Sequence, residues 1–260
     1  MQMVISPAKS LDFTTPAAIA TASMPPLLDR SSTLVRLLSR KSPQDLSALM
    51  GISDTLAHLN VARFAQWHPD YAAPEAKQAV FAFNGDVYDG LDAASLDHPT
   101  LDWLQTRLNI LSGLYGILRP LDLILPYRLE MGTRLANPAG ANLYAYWGDT
   151  LTSLLNERLA ADDSPVVVNL ASDEYFKSVR PKKLSAPVWT PVFQDSKDGG
   201  PYKIVSFWAK RARGLMVRWI AEHRITRPEA LRDFDSDGYR HCAAASDGTT
   251  LVFRREHASR

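Results

Sequence analysis

Cys242 is the only cysteine in 260 residues. No internal disulfide can form, and no cysteine-based zinc or iron–sulfur site can be built. Long apolar runs are missing too, since none approaches the roughly 18 residues that a bilayer span needs. No membrane partner is therefore expected. Ser6-Pro7 cuts short the apolar run that a signal peptide would require, and the expected location is the cytoplasm. Excess charge is scarce, with 29 Lys and Arg against 28 Asp and Glu. No internal repeat or low-complexity linker interrupts the chain, so a single domain over 1–260 is expected. No cofactor and no stable metal centre are expected.

The near-neutral total hides a polar distribution. From Lys177 to Arg227 twelve Lys or Arg face three acids (Asp195, Asp198, Glu222), a net of +9 that leaves −8 for the rest. Asp86, Asp89, Asp92, Asp97 and Asp102 supply much of the opposite sign. Such a division favours an anionic partner on one face. The alternative is that the basic face pairs with the acidic face of the same molecule.

Periodicity predicts a buried strand at Met3 to Ile5 and three packing helices before residue 70. The second helix starts at Ser42 as N-cap with Pro43 at its first position and ends at Gly51; the third starts at Ser53. A short apolar run, Val80 to Phe83, stops at Asn84-Gly85-Asp86. Thr100 is expected to cap a helix through Trp103 and Leu104, and Leu143 to Leu159 reads as one helix. Strands are expected at Val166 to Leu170, Val188 to Phe193 and Tyr202 to Phe207, then a helix from Trp208 to Arg224. A hairpin about Asp247-Gly248 closes the pattern. Without strict βαβ alternation, the fold class is α+β (mixed α/β), with a mixed sheet and flanking helices.

The stretch from Ile110 to Leu135 is chemically unusual. Gly113 and Gly116 bracket Leu114-Tyr115, a spacing that turns the backbone tightly and can expose its N–H groups to phosphates. The segment resembles the hairpin of a helix–hairpin–helix element with one residue too many, and Arg119 and Arg128 follow it. The alternative is a plain turn. Pro120 would disturb a second helix there.

Apolar runs end in Ser6, Ser112 and Ser172, and another ends at Asn84. Strands sharing a direction would bring these ends to one edge, where open α/β sheets bind ligands. Ser6 as N-cap, Pro7 at the first helical position and Lys9 one turn in would form an anion site for a phosphate or carboxylate. Ser6-Pro7-Ala8-Lys9 also matches the Ser-x-x-Lys nucleophile pattern, but its companion motifs are absent. Asp233, Asp235, Asp237 and Gly238 copy the first half of a calcium loop, whose twelfth position is Ala244 where a glutamate is needed. The basic residues Lys177, Arg180, Lys182 and Lys183 follow Tyr175-Phe176. Lys210, Arg211 and Arg213 follow Phe207-Trp208 on a helix, in a stripe suited to nucleic-acid backbone.

Val4-Ile5-Ser6-Pro7-Ala8-Lys9-Ser10-Leu11-Asp12-Phe13 resembles the opening of the YaaA family of bacterial peroxide-stress resistance proteins. Phe83-Asn84-Gly85-Asp86-Val87-Tyr88 and the block from Leu111 to Gly132 resemble it too. So do Asn169-Leu170-Ala171-Ser172-Asp173-Glu174-Tyr175 and Lys210-Arg211-Ala212-Arg213-Gly214. The resemblance implies a cytosolic protein of the hydrogen peroxide response, tied to lowered free iron, with one α/β domain and a positively charged DNA-binding cleft. On this reading DNA is the partner of Lys9, Gly113, Gly116, Arg119, Arg128, Lys177, Arg180, Lys182, Lys183, Lys210, Arg211 and Arg213. The competing expectation is an enzyme acting on a nucleotide, nucleobase or other anionic small molecule. Ser6 and Lys9 would then grip the anion in a pocket with Asn84, Asp86, Ser172 and Glu174. Direct iron sequestration ranks third, because six scattered histidines offer no tight ligand set.

Overall fold

A computed structural model describes residues 1–163 and 165–257; residues 164 and 258–260 of the expected 1–260 domain lie outside the described residues. The chain opens with strand β1 (Gln2–Ile5) and a two-residue strand β2 (Ser10–Leu11). Helices α1 (Leu28–Leu38), α2 (Pro43–Met50) and α3 (Asp54–Gln66) follow. The α2 signals operate as expected. Ser42 and Asp45 exchange hydrogen bonds in a capping box, Pro43 sits in the first turn, and Gly51 ends the helix at φ 61°.

Next come β3 (Lys77–Gln78), α4 (Ala79–Ala82), β4 (Phe83–Asn84) and α5 (Asp86–Leu91). The run Val80 to Phe83 is therefore mostly helical, and β4 pairs only with β2, away from the main sheet. In α6 (His98–Gln105) the cap is Asp97, which accepts the Thr100 N–H at 2.9 Å, so Thr100 is the capped residue and not the cap. Strands β5 (Leu108–Ser112), β6 (Gly116–Leu118) and β7 (Leu123–Ile124) follow. Gly148, at φ 51°, splits the expected Leu143 to Leu159 helix into α7 (Leu143–Trp147) and α8 (Thr150–Ala160).

The chain then forms β8 (Val167–Leu170), α9 (Asp173–Phe176), β9 (Val188–Lys197) and α10 (Ser206–Glu222). The strand expected at Tyr202 to Phe207 is absent. One bridge joins Lys203 to Asp195, and α10 begins at Ser206. The closing hairpin is present, as β10 (Arg240–His241) against β11 (Thr250–His257).

The main sheet runs β10-β11-β9-β8-β1-β5-β6. Its inner pairs are parallel, and an antiparallel strand closes each edge. That is the mixed sheet expected. Every residue of β1, β5 and β8 is buried, as required of parallel strands covered on both faces. The polar exceptions are satisfied internally: Asn109 donates to Gln2 Oε1 and to the Met3 carbonyl, each at 3.0 Å. Around β9 and β11 the core is aromatic, with Phe193 stacked on Phe253 and edge-on to Tyr239 and Phe234.

Candidate functional site

Because β1, β5 and β8 are parallel neighbours, Ser6, Ser112 and Ser172 emerge at one edge of the sheet. Ser6 caps no helix of its own. Its hydroxyl oxygen instead accepts the Ser172 main-chain N–H at 2.9 Å and donates to Ser172 Oγ at 3.3 Å. The Tyr88 hydroxyl donates to the Ser6 carbonyl at 3.1 Å, tying α5 to the end of β1. Ser112 is withdrawn from the surface, bonded to the Tyr127 hydroxyl at 2.6 Å in the core.

A cleft of about 400 Å³ opens at this edge, of a size suited to a small ligand. All five expected pocket residues, Ser6, Asn84, Asp86, Ser172 and Glu174, line it, and so do Lys9, Lys210 and Arg213. Tyr88 and Tyr175 complete its wall, and sequence reasoning missed both. Tyr88 stands one helical turn after Gly85, a spacing that could have marked it. Burial raises the Tyr88 and Tyr175 hydroxyls well above the ordinary tyrosine range, and the neighbouring Tyr127 adds to this. Both therefore remain neutral hydrogen-bonding groups at physiological pH.

The helix crossing of α5 and α10 holds the cationic wall. A Cβ on Gly90 would lie 2.1 Å from the Arg211 carbonyl, and one on Gly214 would lie 1.8 Å from the Val87 carbonyl. Two glycines thus let the backbones touch, which sets Lys210 at 3.7 Å from Asp86. Arg213 lies one turn on. It donates no hydrogen bond to any described residue, burial lowers its pKa, and Asp173 opposes that only from a distance. Lys9, which also lines the cleft, pairs with Glu130 at 2.8 Å and not with Ser6, so no Ser–Lys couple is assembled. Arg128 shares that carboxylate at 3.1 Å. Glu174 accepts the Gly132 N–H at 2.8 Å.

The remaining cations are distributed otherwise than expected. Arg180 and Lys183 are held by Asp149 at 2.6 and 2.7 Å, and their hydrogen bonds lower the pKa of that carboxyl. Lys177 lies over the Tyr144 ring at 5.2 Å, and Lys182 is exposed on the same turns. Arg211 is half-buried against α5, and Arg119 faces the other end of the sheet beside Asp122.

The Gly113–Gly116 turn is a correction. It joins β5 to β6, so strands flank it where a helix–hairpin–helix requires helices. Residues 111–118 are all buried, and the Tyr115 N–H is taken by Ser112 Oγ at 3.0 Å. A Cβ on Gly113 would strike the Leu129 carbonyl at 2.2 Å, and one on Gly116 would strike Trp147 at 2.8 Å. These glycines serve internal packing and expose no donors to phosphate. Further along, Asp237 of the half calcium loop pairs with Arg255. Among the described residues no group of three or more His, Cys, Asp or Glu could hold a metal ion, and no helix is long and apolar enough to cross a membrane.

Fold and cleft together define a mixed α/β protein with a pocket that carries cations and carboxylates at the carboxyl ends of its central strands. The family described as peroxide stress protein YaaA matches residues 1–245. A "UPF0246 protein" of Laribacter hongkongensis is 68% identical over 99% of this chain and 100% of its own length. Proteins of the same description from Chromobacterium violaceum and Janthinobacterium are 60% and 57% identical, each over 98% of this chain and 99% of their own length. The chain belongs to the peroxide stress protein YaaA family, and membership implies a role in the oxidative stress response.

Proposed function

We propose that the chain serves peroxide defence in the cytoplasm by binding a nucleotide or similar small anion in the cleft beside Ser6. The observation that carries this is Arg213, a half-buried guanidinium in the cleft wall that donates no hydrogen bond to any described residue. A charged donor in that state gains most from an incoming phosphate or carboxylate, with which it can form a bidentate pair. Lys210 and Lys9 line the same cleft. Asp86 and Glu174 can accept from sugar hydroxyls or base N–H groups, and the Ser6 and Ser172 hydroxyls can orient a polar group. Carboxylates beside hydroxyls also supply the parts for acid–base chemistry on the bound molecule. Limitation of iron-dependent damage would then follow from what the cleft binds or converts, with no iron held by the protein itself.

Titration calorimetry with nucleoside monophosphates, nucleosides and free bases tests this. Nucleoside monophosphates are expected to bind, and Arg213→Gln is expected to weaken them about tenfold or more, the worth of one charge-assisted hydrogen bond. Absence of binding by every compound would retire the proposal.

A second reading, DNA binding independent of sequence, has its own support. Lys177, Arg180, Lys182 and Lys183 are all exposed on consecutive short turns after α9, which itself contributes Glu174 and Tyr175 to the cleft. Phosphates could replace Asp149 as the partner of two of them. Duplex affinity that drops steeply with salt supports this reading, and flat salt dependence opposes it.

A further inference from the structure

The opposite end of the same strands carries a second cleft, of about 440 Å³, that the family description and the Ser6 site leave unexplained. It opens where β1 and β5 begin, at Gln2 and Leu108, about 13 Å along the strands from Ser6. Three arginines converge there: Arg107 from the turn after α6, Arg119 from the end of β6, and Arg158 from α8.

Their hydrogen-bonding is incomplete. The Nε atoms of Arg107 and Arg119 are sealed from solvent with no acceptor among the described residues, so an anion would meet the outer Nη groups, of which Arg107 Nη1 already donates to Thr106 Oγ1 at 2.8 Å. Arg119 Nε lies 3.6 Å from Asp122, too far for a hydrogen bond, and that carboxylate is already bonded to Ser23 Oγ and the Arg119 main-chain N–H. Arg158 donates to Asn109 Oδ1, whose amide is fixed in turn by Gln2. Asp162, the carboxylate that lines the cleft, is bonded to the amino terminus at 3.0 Å and to Gln2 at 2.9 Å.

Guanidiniums gathered around one cavity with free outer donors are how proteins hold tetrahedral oxyanions, and neither Nη of Arg119 donates a hydrogen bond to any described residue. Arg107 is further immobilised by stacking on Trp103 at 4.7 Å. We infer that this second cleft binds a phosphate group, carried either by a small phosphorylated molecule or by a nucleic-acid backbone. Burial supports the assignment, since it lowers the Arg158 pKa to about 10, and Arg119 adds like-charge repulsion that an anion would relieve. The site shares no residue with the Ser6 cleft, so the two stand or fall separately.

The experiment titrates the full chain with pyrophosphate and with a short DNA duplex, in wild type, Arg119→Gln, Arg107→Gln and Arg213→Gln. Arg119→Gln and Arg107→Gln are each expected to weaken pyrophosphate at one site about tenfold, whereas Arg213→Gln leaves that site unchanged. Arginine modification by phenylglyoxal, mapped by mass spectrometry on the unsubstituted chain, gives a readout free of folding effects. Pyrophosphate is expected to protect Arg107 and Arg119. Protection by pyrophosphate without duplex binding assigns the phosphate to a small molecule. Duplex that protects the same arginines and is displaced by pyrophosphate assigns it to a nucleic-acid backbone. Unprotected arginines, or titrations indifferent to both substitutions, overturn the inference.

Discussion

The Ser6 hydroxyl oxygen lies 2.9 Å from the main-chain nitrogen of Ser172 and accepts its hydrogen bond. This contact links the residues that follow β1 and β8, both of which line the cleft. Ser6→Ala leaves the Ser172 N–H without its acceptor and is expected to cost about 1 kcal/mol of stability. Denaturant unfolding reads the loss, and nucleotide titration should weaken in parallel. Unchanged values in both would mean that the contact shapes nothing.

The α5–α10 crossing predicts a larger effect. Gly214→Ala and Gly90→Ala each put a methyl group inside contact distance of backbone carbonyls that cannot retreat without moving a helix. Each is expected to destabilise by about 3 kcal/mol, near the upper end for overpacking. Urea midpoints of the two variants check this. A midpoint close to that of the wild type would show that the helices part easily.

Asp149→Asn is expected to release Arg180 and Lys183, which that carboxylate now holds at 2.6 and 2.7 Å. Duplex DNA affinity should rise severalfold, and the slope of log K against log salt should steepen by about one for each cation that reaches a phosphate. Filter binding at several salt concentrations measures both. Identical affinity and slope would retire the DNA reading of these turns.

Stability should fall in acid for a definite reason. The carboxyls of Asp45 and Asp97 lie below their ordinary value of 3.8, mainly because Ser42 and Thr100 respectively hydrogen-bond the charged form. A lowered folded pKa contributes stability that is present above pH 3.8 and lost as pH falls through the folded value. Asp122 works the other way, since burial raises its pKa and its contribution fades as pH rises. Thermal midpoints of Asp97→Asn against pH should fall less steeply below pH 4 than those of the wild type, roughly over one unit. Parallel profiles would remove Asp97 from the acid limb.

Much of this architecture was legible in the residues, and the failures have physical causes. Ser42, Pro43 and Gly51 marked α2 because caps act locally, within one turn of chain. The buried strands were readable from continuous apolar runs, but their shared direction was a condition that only the parallel pairing of β1 with β5 and β8 supplies. Thr100 misled because Asp97, three residues earlier, competes for the same role and carries the stronger acceptor. Tyr202 to Phe207 alternates like a strand, yet β9 continues to Lys197 and α10 captures Ser206. Gly113 and Gly116 were correctly read as a tight turn. Their partners Leu129 and Trp147 come from elsewhere in the chain, so their burial could not be read locally. Ser6 and Ser172 gathered because parallel strand ends converge by topology, whereas Asn84 and Asp86 arrive with β4 and α5 from outside the main sheet. Arg180 and Lys183 are held away by Asp149 through tertiary contacts that no spacing reveals, and Arg119 falls at the other end of the sheet.

The central claim is that the Ser6 cleft is a ligand site organised around Arg213, and nucleotide titration of the wild type beside Arg213→Gln tests it most directly. The account predicts saturable one-to-one binding that weakens about tenfold in Arg213→Gln while the thermal midpoint of that variant stays close to wild type. Equal binding by both proteins, or by neither, would contradict it.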